Sequence, residues 1–230
     1  MRKSVVRPHL PHLHLYLDTA DVEAWYTWLP TGLFHGVTCN PTLIEKANVS
    51  CDVYTLRELT KQALSMGAQE VHLQAWGESA DELIDIGEGL SRSDHRVLVK
   101  LPATVAGTTA ARVLISQGIP VTLTAVYAVH QVLMAAALGA SYVAPYLGRI
   151  SDSGRDGRAD VAHMQQILNG VQSKTRILTA SIRTVEDIPL LAAQGVDTFT
   201  FSEAIAEAFF DVPETIAATA AFEQAARMSA

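Results

Sequence analysis

The sequence predicts a (β/α)8 TIM barrel with a C-terminal helical arm, and three observations carry that expectation. Eight short β-rich runs alternate with longer helical runs. Several of the short runs read as apolar on both faces, as strands of a helix-covered parallel sheet should be. Glycines punctuate the ends of the helical runs, at Gly67, Gly118, Gly139, Gly170 and Gly195, where a left-handed cap favours that residue.

In chain order the strand candidates are Leu13–Asp18, Gly36–Asn40, Glu70–Trp76 and Val97–Ala103, then Pro120–Val126, Tyr142–Leu147, Arg176–Ile182 and Thr198–Ser202. Between them lie amphipathic stretches such as Asp52–Met66, Ala80–Leu90, Thr104–Gln117, Val129–Leu138 and Val161–Val171. Eight βα units in roughly 200 residues describe a closed barrel more naturally than an open sheet. The open doubly wound fold lacks its usual mark here, because no Gly-x-Gly-x-x-Gly follows the first strand. Residues 13–230 therefore read as one domain, preceded by a flexible extension over 1–12 in which Pro8 and Pro11 interrupt Arg2, Lys3 and Arg7.

Composition narrows the function. The chain has 230 residues, 49% hydrophobic and 18% charged, with a formal charge of -7. That acidic balance argues against nucleic-acid binding, which requires a basic face. No apolar run reaches the roughly 18 residues that a membrane helix needs, and the N-terminus lacks a signal peptide's apolar core and cleavage site. Cys39 and Cys51 lack Cys-x-x-Cys spacing. The expectation is a reduced, cytoplasmic protein without a disulfide or structural zinc.

In a barrel of this class, chemistry sits at the C-terminal ends of the strands. Seven of the eight strand candidates place a polar residue there: Asp18, Asn40, Gln74, Lys100, Thr124, Tyr146 and Ser181. One such residue means little, since Asp18 or Asn40 alone reads equally well as the cap of the following helix. Seven on one rim exceed what capping explains. Strand alternation points the middle members the same way as Leu98, Thr122 and Ala144 two residues earlier. Lys100 is the sharpest. The other lysines, Lys3, Lys46, Lys61 and Lys174, sit in segments that read as tail, helix surface or turn. Lys100 lies inside Val97-Leu98-Val99-Lys100-Leu101-Pro102, where burial favours the neutral amine, a nucleophile toward carbonyls. The alternative is a structural ion pair with Asp18 across the barrel.

These residues stand in segments that resemble the transaldolase family, specifically its small fructose-6-phosphate aldolase-like branch. The matching pieces are Leu15-Tyr16-Leu17-Asp18-Thr19, Gly36-Val37-Thr38-Cys39-Asn40-Pro41, Val99-Lys100-Leu101-Pro102, Thr124-Ala125-Val126-Tyr127, Ala144-Pro145-Tyr146-Leu147-Gly148-Arg149-Ile150 and Ala180-Ser181-Ile182-Arg183. They run in the family's order from about residue 13 to the C-terminus. Cys39 departs from it, standing where the family usually has a second threonine.

The resemblance implies that Lys100 forms an iminium with a ketose C2, that Asp18 assists proton transfer at the C4 hydroxyl, and that Asn40 holds substrate hydroxyls. Gln74, Thr124 and Tyr146 would position a water for proton transfer. Arg149, Ser181 and Arg183 match the family's phosphate-binding positions, and a guanidinium can donate two parallel bonds to a phosphate. No metal or other cofactor is implied, because the iminium does the polarising. The loop Ser151–Arg158 reads as a solvated turn, with a mobile flap as the alternative. His14 and His72 read as core or lower-barrel residues, and His130 and His163 as helix positions.

Within the family, transaldolases usually place glutamate at the position of Gln74, phenylalanine at that of Tyr146 and serine at that of Ala144. The three residues here therefore favour an aldolase that cleaves or forms fructose 6-phosphate from dihydroxyacetone and glyceraldehyde 3-phosphate. Transfer of the dihydroxyacetone unit between sugar phosphates is the second expectation, and a non-catalytic sugar-phosphate-binding barrel the third. A phosphosugar isomerase would need a glutamate or histidine base at the rim, and no strand candidate ends in one. Phe201–Phe210 reads as the last barrel helix and Glu214–Met228 as a separate arm. The resemblance implies that the arm packs on a neighbouring subunit in a homo-oligomer, a pentamer or decamer; folding back over its own barrel is the alternative.

Overall fold

A computed structural model describes residues 13–228; the expected flexible extension over 1–12 lies outside the described residues. Eight parallel strands close into a barrel in sequence order: β1 (His14–Asp18), β2 (Gly36–Thr38), β3 (Glu70–Gln74), β4 (Val97–Pro102), β5 (Val121–Val126), β6 (Tyr142–Pro145), β7 (Arg176–Thr179) and β8 (Thr198–Phe201). The helices are α1 (Val22–Trp28), α2 (Pro41–Lys46), α3 (Val53–Ser65), α4 (Ala80–Ser91), α5 (Val105–Ser116), α6 (Val132–Leu138), α7 (Leu147–Asp152), α8 (Gly157–Gly170), α9 (Asp187–Ala192), α10 (Glu203–Ala208) and α11 (Pro213–Met228).

Local chemistry explains where helices start. Asp52, Thr104 and Asp156 accept backbone N–H bonds as N-caps of α3, α5 and α8, and Ser79 forms a reciprocal capping box with Glu82 at α4. Helix ends follow the expected glycines at Gly67, Gly118, Gly139 and Gly195, all with positive φ. Gly170 differs: it stays within α8, and Gln172 takes the left-handed turn with φ 54.

The strand faces differ from the expectation of apolar residues on both sides. The outward residues, such as Leu17, Val71, Val99, Leu123, Val143 and Phe199, are buried against the helices in one continuous apolar layer. Each contributes roughly 1.5–3 kcal/mol by burial. The inward apolar cluster is small, made of Tyr16, Leu98, Tyr142, Ala144 and Leu178. The rest of the lumen carries buried Thr38, His72, Lys100, Thr122, Thr124 and Thr200. The lumen is therefore largely polar, and two members of its small apolar cluster, Tyr16 and Tyr142, direct their hydroxyls to Glu70.

Several strands stop earlier than the sequence suggests, because their last residues have already turned into the next helix. Asn40 and Tyr146 are N-cap residues of α2 and α7, and Ser181 follows β7 with φ 58. Every described residue of α11 is exposed, which removes the alternative of an arm folded over its own barrel. The root is anchored: Phe209 stacks on Phe201 and Phe210 on Trp28, with ring centroids 5.4 and 5.7 Å apart.

Candidate active site

Strand register lines up the rim. Asp18 pairs with Thr38, Gln74 with Lys100, and Lys100 with Thr122. A cavity of about 150 Å³ opens at this end, and Asp18, Asn40, Lys100, Thr124, Tyr146, Arg149 and Ser181 all line it. Seven of the nine residues singled out from the sequence are thus brought together.

Lys100 is 5% exposed. Its Nζ donates to the backbone carbonyl of Cys39 at 2.9 Å, and among the described residues it pairs with no carboxylate. One carbonyl leaves two of an ammonium's three donors unpaired. The ion pair with Asp18, the structural alternative, is not formed. Asp18 instead accepts a 2.6 Å bond from Thr38 Oγ1, which also lies 2.6 Å from Thr200 Oγ1. This chain across β8, β2 and β1 fixes the carboxylate without using the lysine. Cys39 beside it is buried, and burial pushes its thiol up to about 12. It therefore stays a neutral thiol that neither competes with Lys100 as a nucleophile nor adds charge beside it.

Asn40 serves two ends. Its Oδ1 accepts from Leu43 N at 3.1 Å, capping α2. Its amide nitrogen is left for the cavity, so the capping and substrate readings are compatible at this residue.

On the opposite wall, Thr124 Oγ1 and Tyr146 Oη lie 2.9 Å apart. A β-bulge between Leu123 and Val126 sets this arrangement, with Ala125 in the left-handed region at φ 56. Bulges of this kind re-aim side chains near sites. Gln74, the third member of the expected water-positioning group, does not join: its Nε2 donates to the carbonyl of Ala75 at 3.2 Å, and it does not line the cavity.

The two arginines part company. Arg149 lines the cavity, its guanidinium 5.0 Å above the Tyr146 ring and its Nη1 3.2 Å from Tyr127 Oη. Arg183 faces a separate surface cleft and pairs with Asp152 at 2.7 Å. Gly148 makes this crossing possible: a Cβ there would lie 2.4 Å from the Ser181 carbonyl and 2.5 Å from Arg183 Nε. The segment Ser151–Arg158 is a turn only over residues 153–156; its first two residues close α7 and its last two open α8, with Arg155 paired to Asp160 and Arg158 to Asp187.

Four participants were not singled out from the sequence: Thr38, Thr200, Tyr127 and Lys46. Thr38 and Thr200 hold Asp18, Tyr127 holds Arg149, and Lys46 lines the cavity with Thr42 and Leu43. For Lys46 a signal existed: a helix capped by Asn40 puts positions 42, 43 and 46 on one face. Among the described residues no three His, Cys, Asp or Glu side chains gather in a group that could hold a metal ion, and no helix is long and apolar enough to cross a membrane.

Comparison with known proteins agrees over most of the chain. Residues 15–230 match the model of the Transaldolase/Fructose-6-phosphate aldolase family. A probable transaldolase of Dictyoglomus turgidum is 33% identical over 207 residues, covering 88% of this chain and 92% of that protein. A probable transaldolase of Aquifex aeolicus is 33% identical over 203 residues, covering 88% and 91%. One of Paracoccus denitrificans is 33% identical over 196 residues, covering 85% and 88%.

Proposed function

The chain belongs to the Transaldolase/Fructose-6-phosphate aldolase family, and on that premise we propose that it transfers a dihydroxyacetone unit between sugar phosphates through a Schiff base on Lys100. The observation that carries the chemistry is the buried Lys100 amine, held by one carbonyl and facing a cavity with Asp18 and Tyr146 on its walls. The relatives' description as probable transaldolases favours transfer over the simple aldol reaction that Gln74, Ala144 and Tyr146 suggested.

The proposed sequence begins with attack of the Lys100 amine on the ketose C2. Loss of water gives an iminium that withdraws electrons from C3. Asp18 accepts the C4 hydroxyl proton as the C3–C4 bond breaks, and its pair of electrons flows into the iminium. An aldehyde leaves and an enamine of dihydroxyacetone remains on Lys100. An acceptor aldehyde then takes the enamine carbon, Asp18 returns its proton to the new hydroxyl, and water releases the product ketose from Lys100. Asn40 would hold substrate hydroxyls, and Arg149 and Ser181 an anionic end.

One observation favours the second reading, aldol cleavage and synthesis. The Tyr146 hydroxyl lies 2.9 Å from Thr124, a pair able to orient a water that protonates the enamine and frees dihydroxyacetone. The inward turn of Gln74 expected for that group is missing, which weakens it.

A homo-oligomer assembled through α11, and a reducing cytoplasmic setting for its two free cysteines, belong to the same proposal. Borohydride reduction with fructose 6-phosphate, followed by peptide mass mapping, tests the chemistry. An adduct on Lys100 is expected; an adduct on another lysine, or none, sinks it. Release of glyceraldehyde 3-phosphate only after erythrose 4-phosphate is added separates transfer from cleavage.

A further inference from the structure

A second hollow lies at the opposite end of the barrel from Lys100, and no residue that lines it also lines the catalytic cavity. Its volume is about 1150 Å³, room enough for a drug-sized molecule. The start of the lumen forms its floor. Leu98 and Tyr142 are buried there, and the Tyr142 hydroxyl donates to Glu70 at 3.0 Å. The surrounding wall is short of side-chain volume. α6 contributes Ala136 and Ala137, Gly139 caps it in the left-handed region at φ 73, and Ala140 follows. The turn into β7 forms another part of the wall, with Gln172 in the left-handed region at φ 54. Small residues facing a turn leave the space open.

Two chemistries share this hollow. One part of its wall is apolar: Leu133 and Val171 are 44% and 53% exposed, and both border it. An apolar body laid on them would remove that surface from water. The rest is cationic. Arg96, Lys174 and Arg176 line the hollow against one carboxylate, Glu70, in a chain whose formal charge is -7. Asp94 and Asp197 pair with the two arginines without lining the hollow themselves. Arg96 donates to Asp94 through Nε and Nη2, each at 2.9 Å. A guanidinium has five N–H donors, so Arg96 keeps the other three while its carboxylate holds it in place. A group fixed in advance loses less freedom when a ligand arrives. Lys174 forms no ion pair among the described residues. Glu70 on the floor repels an acidic group, and the cations attract it. A ligand is thereby oriented, apolar end inward and acidic end outward.

We propose that this lower hollow is a second ligand site, and that it takes an amphipathic organic anion. The ligand class is an apolar or aromatic body that carries one acidic group, a carboxylate, sulfonate or phosphate. The body lies along Leu133, Val171 and the alanines of α6, and the acidic group meets Arg96 and Lys174. The site shares no residue with the Schiff-base cavity, so it stands whichever reaction that cavity performs.

The probe is anilinonaphthalene sulfonate, titrated by fluorescence into the native full chain. Phenylnaphthylamine, its counterpart without the sulfonate, reports the apolar part alone. Ala137→Trp fills the hollow from an exposed position on α6. It should weaken the sulfonate about tenfold and leave the melting temperature unchanged. Lys174→Glu should weaken the sulfonate about fivefold, and Arg96→Gln by a similar factor. Phenylnaphthylamine should respond to Ala137→Trp and ignore Lys174→Glu. Saturating fructose 6-phosphate should not displace either probe. The proposal is overturned if Ala137→Trp binds the sulfonate as the parent does, which would place the probe on another apolar surface such as α11. It is also overturned if both probes lose equally in Lys174→Glu, or if fructose 6-phosphate displaces them, which would place them in the catalytic cavity.

Discussion

The two ends of this barrel are both polar, and they use polarity in opposite ways. At the lower end the groups satisfy one another. Glu70 Oε2 accepts from Tyr16 at 2.5 Å and from Tyr142 at 3.0 Å, and lies 3.4 Å from His72 Nε2. His72 Nδ1 lies 2.9 Å from Thr122, and Arg176 reaches both His14 and Asp197. At the upper end the contacts are sparse: one carbonyl on Lys100, one hydroxyl on Asp18, and a Thr124–Tyr146 pair. The lower groups plug the barrel, and the upper groups retain bonding capacity for a ligand.

The contrast also shows where titration shifts concentrate. Burial, then His35 and Arg176, lowers His14 from its usual 6.5 to about 4. Burial and then Glu70 push Tyr142 up to about 12 and Tyr16 further still. Glu70, despite burial, is held well below the carboxylate range by bonds from His35, His72 and Tyr16. Perturbed groups are often read as marks of catalysis, yet here His14, Tyr16, Glu70 and Tyr142 gather at the structural end, with Cys39 beside Lys100 the exception. The larger hollow, about 1150 Å³, also opens at the lower end, against Glu70, Tyr142 and Arg176. Neither size nor displaced protonation singles out the upper cavity in this fold; the underbonded Lys100, on which the proposed chemistry rests, does.

The sharpest way to break this division is at Lys100. Lys100→Met should lower turnover by about four orders of magnitude or more and abolish borohydride trapping, while the melting temperature holds or rises. A large loss of stability would mean that the upper end is structural as well.

Glu70→Gln should do the reverse. Replacing the shared acceptor with an amide breaks charge-assisted bonds from two tyrosines and a histidine, costing about 2–3 kcal/mol in denaturant unfolding. The folded fraction should keep its turnover. Acid should act on the same end. Native His14 takes up its proton only near pH 4, whereas the unfolded chain does so near 6.5. The unfolded state therefore binds more protons between those values, and stability falls as pH drops through that window. Glu70 adds to the loss at the low end, since its stabilisation as a carboxylate disappears when it is protonated. Thermal melts from pH 8 to 4 on the parent and on His14→Gln check this, with a shallower slope expected for the variant.

A subtler change tests the upper end. Tyr146→Phe should shift partition from release of dihydroxyacetone toward transfer by about tenfold, read as the ratio of the two products with and without an acceptor. Smallest of all, Ala125→Gly should relieve the left-handed strain at the β5 bulge, roughly 1 kcal/mol or less, and loosen Thr124. A slightly higher melting temperature with a modest fall in kcat is the expected pair of readings.

Short-range pattern in the sequence determined much of this. Period-2 alternation and the polar rim placed Lys100, Asp18, Asn40, Thr124 and Tyr146 around one opening. His14 and His72 fell at the lower end for the same reason, because strand direction alone assigns a residue to top or bottom. Tertiary structure decided which of several partners a flexible side chain takes. Arg183 follows a matching motif, but Asp152 on α7 claims its guanidinium. Gln74 stands in register with Lys100, but its amide turns to Ala75. Lys46 looked like helix surface until α2 docked against the rim, and α11 could have covered the barrel but projects from it. Periodicity fixes the face a residue occupies. The partner depends on groups brought near by contacts far apart in sequence, and a long side chain has rotamers enough to choose among them.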